Sequence, residues 1–139
     1  MILLDTNVVS ELMRAEPSGA VMGWFAGHDA ATLYLSAVSE AELRAGAAIL
    51  PKSRRRDRLV AAIDAMIEQD FAGRLLAFDS PAARDFAAIV AARRVAGRPI
   101  STADCQIAAI ARCRRLAVAT RNVGDFEGCG VAVLDPWGA

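Results

Sequence analysis

Five short apolar runs alternate with stretches of helical periodicity along this chain, and nothing else in the sequence constrains the fold as tightly. The runs fall at residues 1–4, 33–35, 75–78, 116–119 and 131–134. A short, purely apolar run without polar alternation suits a strand covered on both faces. Strands that alternate with helices predict an α/β sandwich with a mostly parallel sheet. In such folds the functional crevice lies beyond the carboxyl ends of the strands.

The punctuation between the runs supports this order. Asp5-Thr6-Asn7 ends the first run and a helix starts near Val8, with Pro17-Ser18-Gly19 interrupting before a second short helix that carries Val21, Trp24 and Phe25. Ser36 or Ser39 caps a helix that runs to about Leu50. A basic stretch from Lys52 opens a long amphipathic helix with Leu59, Val60, Ile63, Met66, Ile67 and Phe71 at helical spacing. Asp79-Ser80-Pro81 reads as a capping residue followed by proline at the first helical position, and Gly97 supplies the stop. Ser101 to Asp104 has capping-box spacing and opens a helix to about Arg114.

The 139 residues predict one domain spanning 1–139, and 55% hydrophobic content is enough for a sizeable core. Sixteen basic residues balance sixteen acidic ones, which argues against coating nucleic acid by bulk charge and leaves room for a local basic patch. No segment approaches the roughly 20 apolar residues that span a bilayer, and the first residues lack a basic leader, so a cytoplasmic, membrane-free protein is expected. Cys105, Cys113 and Cys129 are odd in number and form no CxxC, which predicts buried reduced thiols. The lone His28 reads as a surface or helix-end residue.

Four acids stand out. Asp5 follows the first apolar run directly, where it is either a helix cap or a carboxylate that needs a cation. On a helical wheel at about 100° per residue, Val38, Ala41, Ala45 and Ile49 form an apolar arc that contains Glu42, whereas Glu40 falls opposite and pairs with Arg44. Glu42 therefore reads as an inward carboxylate, held by a cation or an internal salt bridge. Asp104 sits in a first turn, on the face of Ile107, Ala108 and Ala111, where helix-dipole stabilisation is the competing explanation. Asp125 lies in the loop after the fourth run, next to Gly124, as turn aspartates often do. Converging carboxylates repel one another, and oxygen-only ligands suit Mg²⁺ or Mn²⁺.

MILLDTNVVSEL, SAVSEAELRAG, STADCQIAAIA and VATRNVGDFEGCGVAVLDPW, in this order, resemble the PIN domain from end to end. They are similar, more narrowly, to VapC toxins of toxin–antitoxin pairs, in the FitB-like branch. The resemblance implies a three-layer sandwich with a central sheet of four to five strands. It implies a metal-dependent endoribonuclease with Asp5, Glu42 and Asp104 as the first three carboxylates. Many relatives have an acid where this chain has Asn122, and Asp125 then supplies the fourth charge, with Asn7, Thr120 and Asn122 as polar helpers. Hydrolysis by water under Mg²⁺ or Mn²⁺ would leave a 5′-phosphate and a 3′-hydroxyl.

Arg121, the Arg93-Arg94-Arg98 group and the Arg54-Arg55-Arg56-Arg58 group are candidates for RNA backbone contact. The implied partners are a VapB-like antitoxin that covers the acids, RNA with a tRNA anticodon loop as the family-level expectation, and promoter DNA through the antitoxin. A homodimer and a higher assembly with antitoxin are implied as well. Two rivals share the size and the alternation. A receiver-like phosphoacceptor needs a site lysine, and the only lysine is Lys52; a PIN scaffold without nuclease activity is the other.

Overall fold

The computed structural model describes residues 1–138. Its elements follow in the order β1 (Ile2–Leu4), α1 (Thr6–Leu12), α2 (Gly19–Ala26), β2 (Leu33–Ser36), α3 (Ala37–Ala48), α4 (Arg54–Ala65), β3 (Leu75–Leu76), α5 (Ser80–Val95), α6 (Thr102–Arg114), β4 (Ala117–Ala119), α7 (Val123–Phe126) and β5 (Val133–Leu134). A π-helical turn at Met66–Asp70 extends α4, and a 3₁₀ turn at Ala30–Thr32 leads into β2. The strands form one sheet in the order β3-β2-β1-β4-β5 with every pairing parallel. β1 is thus the central strand.

Strand alternation divides the core into two layers. Leu3, Tyr34 and Val118 face α5 and α6, where Ile89, Ile107, Ala108, Ile110 and Ala111 pack. Ile2, Leu4, Leu33, Leu35 and Ala119 face the other way, onto Val8, Val9, Val21, Met66 and Phe71 from α1, α2 and the end of α4. The sheet is the middle layer of three, as two-sided apolar runs require.

The caps act where the sequence places them. Ser36 accepts from the Ser39 amide, Asp79 from Ala82, and Ser101 from Asp104. Each satisfies a donor that the first helical turn leaves open. Because α1, α3 and α7 leave the carboxyl ends of β1, β2 and β4, and α6 runs back toward the start of β4, four helix N-termini gather at one edge of the sheet.

Candidate functional site

Asp5 is the centre of that edge. Its backbone amide continues the ladder onto the Ala119 carbonyl at 2.9 Å, which fixes the residue against β4. Its side chain caps α1, with Oδ1 accepting from the Thr6 amide at 2.8 Å. Oδ2 accepts from the buried Thr120 hydroxyl at 2.7 Å. Thr120 Oγ1 in turn accepts from the Asn122 amide at 3.0 Å and from Asn7 Nδ2 at 3.4 Å, and Asn7 Oδ1 accepts from the Arg121 amide at 3.3 Å. Asn7 and Thr120 therefore hold Asp5 and the β4–α7 loop together. Asn122 enters this network through its main chain, and its side chain does not cap α7.

Glu42 corrects the helical wheel. The buried face of α3 consists of Ser39 and Ala47, with Leu43 half-buried, and Ile49 is 83% exposed. Alanines weigh little in a hydrophobic arc, and Ser39 is buried because its hydroxyl meets those of Ser36 and Thr6. Glu42 is exposed, on the edge of this face, and its Oε1 accepts from the Thr6 hydroxyl at 2.6 Å. Thr6 and Ser39, which join the Asp5 turn to Glu42, were not legible as site residues: a threonine and a serine near caps carry no distinctive spacing. Glu40 pairs with Arg44 at 2.8 Å as the i,i+4 spacing predicts, and Arg44 also holds Asp64 at 2.7 Å.

Asp104 is half-buried in the first turn of α6, and Asp125 is exposed in the first turn of α7. Asp104 and Glu42 act electrostatically on Asp5, and Asp125 and Glu42 act on Asp104. Burial pushes the Asp5 carboxyl above the ordinary range, against its bonds from Thr120 and Thr6, and the charges of Asp104 and Glu42 push the same way. Burial also raises Asp104; the Ser101 hydroxyl and Arg93 oppose this, while Asp125 and Glu42 add to it. None of the four enters any of the ion pairs found among the described residues. Among those residues no three His, Cys, Asp or Glu side chains stand close enough together to grip a metal ion directly.

The arginines divide differently from their grouping in the sequence. Arg93 is 5% exposed and bonds main-chain carbonyls, so it is part of the interior and presents nothing to a nucleic acid. Arg121 is exposed beside the site, with its guanidinium 5.2 Å from the Trp137 ring centroid. Trp24 packs on the second core layer and against His28, at the end of α2. Cys105 and Cys129 are buried free thiols, and Cys113 is partly so.

The PIN-domain family model matches residues 2–127. The chain belongs to the PIN-domain family. It is 42% identical to the VapC ribonuclease Y4jK of Sinorhizobium fredii over 99% of this chain and 98% of that one. It is also 42% identical to Toxin FitB of Neisseria gonorrhoeae over 99% of each. A solved structure of FitAB bound to an IR36 DNA fragment matches this PIN chain with a TM-score of 0.93 and 41% identity, over 99% of this chain and 96% of that one. Among the described residues of this PIN protein no helix is long and apolar enough to cross a membrane.

Proposed function

We propose that this PIN protein is the toxin of a toxin–antitoxin pair and a divalent-metal-dependent endoribonuclease. The observation that carries the reading is a set of four carboxylates at one sheet edge, with Glu42 and Asp104 repelling Asp5 and Asp125 repelling Asp104, and none of them in an ion pair among the described residues. Asp5, Glu42, Asp104 and Asp125 are the residues we assign to Mg²⁺ or Mn²⁺. Mg²⁺ ordinarily takes one or two carboxylates directly and keeps several waters, so it does not require three of these acids to touch it. When bound, such an ion lowers the pKa of a water and offsets charge on a phosphodiester.

The chain's own residues prepare that chemistry. Each Asp5 oxygen accepts one hydrogen bond, which leaves lone pairs on both for a cation. Thr120 fixes the rotation of this carboxylate, and Asn7 and the Asn122 amide fix Thr120. Thr6 does for Glu42 what Thr120 does for Asp5. Arg121, steadied against Trp137, keeps a planar fork of donors free for RNA phosphate.

The antitoxin reading rests on the relatives' names and on a groove of about 1570 Å³ between α1, α2, α3 and α4. Its floor is apolar, with Val9, Leu43, Ile63 and Phe71, and Arg14, Arg55, Arg58 and Arg74 stand on its walls. We assign it to an amphipathic antitoxin segment with acidic flanks, whose path ends at Glu42 and so reaches the acids. Promoter DNA would be met through that partner; the similar FitAB structure is bound to an IR36 DNA fragment.

The test is mapping of RNA cuts at single-nucleotide resolution after brief expression of the wild type and of D5N. Metal-dependent cuts that vanish in D5N support the reading. A folded, antitoxin-free protein that binds Mn²⁺ and makes no cuts replaces it with the scaffold reading.

A further inference from the structure

Arg93 stands out among the groups that the site does not use. It is buried, yet it forms no ion pair among the described residues. A buried charge without a counter-ion needs strong hydrogen bonds and a reason to be there. Its Nε donates to the Arg98 carbonyl at 2.7 Å, and its Nη1 donates to the Glu127 carbonyl. Arg98 repeats the link from the other side. Its Nη1 meets Glu127 Oε2 at 3.1 Å, and its Nη2 donates to the Gly124 carbonyl at 3.1 Å.

The backbone makes this pair rigid. α5 ends in a Schellman motif, with the Arg98 amide on the Arg93 carbonyl at 2.9 Å and the Gly97 amide on the Arg94 carbonyl at 3.1 Å. Gly97 takes the left-handed conformation that the motif requires, with φ of 69°. Three residues beyond Arg98, Ser101 caps the helix that carries Asp104. Gly124 lies within the short helix that carries Asp125, and Glu127 is its C-cap. The two guanidiniums thus tie the turn that leads into the Asp104 helix to the segment that carries Asp125.

We propose that Arg93 and Arg98 form a positioning clamp that sets the Asp125 turn against the Asp104 helix and so fixes the spacing of their carboxylates for a divalent cation. The inference rests on the metal reading above. It assigns no contact of either arginine with RNA or with the cation. Anchored partners behind a metal site typically contribute about 10–100-fold in affinity.

The test measures Mn²⁺ affinity, by paramagnetic resonance of the free ion, for the wild type, R93K, R98A, D125N and the R98A/D125N double variant. R93K keeps the charge and loses the fork. Arg98 is 50% exposed, so R98A leaves the interior intact. R93K and R98A are expected to weaken binding by on the order of 10-fold, and R98A is expected to add little once Asp125 is gone. Hydrogen exchange on metal-free R98A should quicken at the amides of residues 124–129 and leave β1 unchanged. Wild-type affinity in both arginine variants, or independent effects of R98A and D125N, overturns the clamp and spares the metal reading. No Mn²⁺ binding by the wild type overturns both.

Discussion

Asp5 and Glu11 lie six residues apart, at opposite ends of the same short helix, and are equally hidden at 5% and 6% exposure. Glu11 is a finished interaction. It accepts from the Ser18 amide at 3.0 Å and pairs with Arg14 at 3.2 Å, and these partners, the amide foremost, hold its carboxyl below the ordinary range. Asp5 accepts two neutral hydrogen bonds, has no cation, and is held above that range by burial and by two neighbouring acids. Burial alone does not mark a functional carboxylate. On the metal reading the missing counter-charge does, because folding leaves a cost there that a cation would offset.

The largest expected effect separates the two acids by activity. D5N or D104N should lose more than about 100-fold in RNA cleavage, beyond what outer partners of a metal site contribute, whereas folded E11Q should keep it. A gel assay with Mn²⁺ reads both, and cleavage by D5N at the wild-type rate would break the comparison.

Ligand stabilisation comes next. At about 100 times its Kd, Mn²⁺ should stabilise the wild type and E11Q by about 2.7 kcal/mol and leave D104N unmoved, as thermal unfolding can read.

The pH dependence sharpens the contrast through its sign. Asp5 and Asp104 titrate above the unfolded value of about 3.9, so the folded state holds the extra proton and their share of stability falls as pH rises through the window above it. Glu11 titrates below the unfolded value of about 4.3, so its share is present above that pH and is lost as pH falls through its folded value. Metal-free D104N should therefore melt slightly above the wild type at neutral pH, and E11Q below it. Both differences should shrink in acid. The smallest effect belongs to E40Q, which breaks a half-exposed pair with Arg44 and should change stability by under about 0.5 kcal/mol with cleavage unchanged.

What the sequence disclosed was local. Residues 2–4 and 117–119 are strands because four-residue apolar runs have few other uses, and Asp79, Ser36 and Ser101 cap helices because their oxygens reach an amide three residues on. Face assignments on α3 failed, since alanine barely distinguishes inside from outside and the buried Ser39 is satisfied by hydroxyls from β2 and α1. The short helix α7 lay inside what read as a loop. Arg93 was hidden within a charge run whose neighbour Arg94 is exposed; only the tertiary fold separates the two.

The central strand is the first one made. Its partner on one side, β4, is reached only after nearly the whole chain has been synthesised, and the bond between Asp5 and Thr120 joins residues 115 positions apart. Until that late segment emerges, Asp5 lacks the Thr120 hydroxyl that orients it, and the helices that carry Asp104 and Asp125 lack β4, the strand that lies between them in the chain. On the proposed reading, an unfinished chain therefore lacks the assembled set of acids that would act on RNA. The site closes only when residues 117–120 reach β1, a long-range pairing that forms slowly.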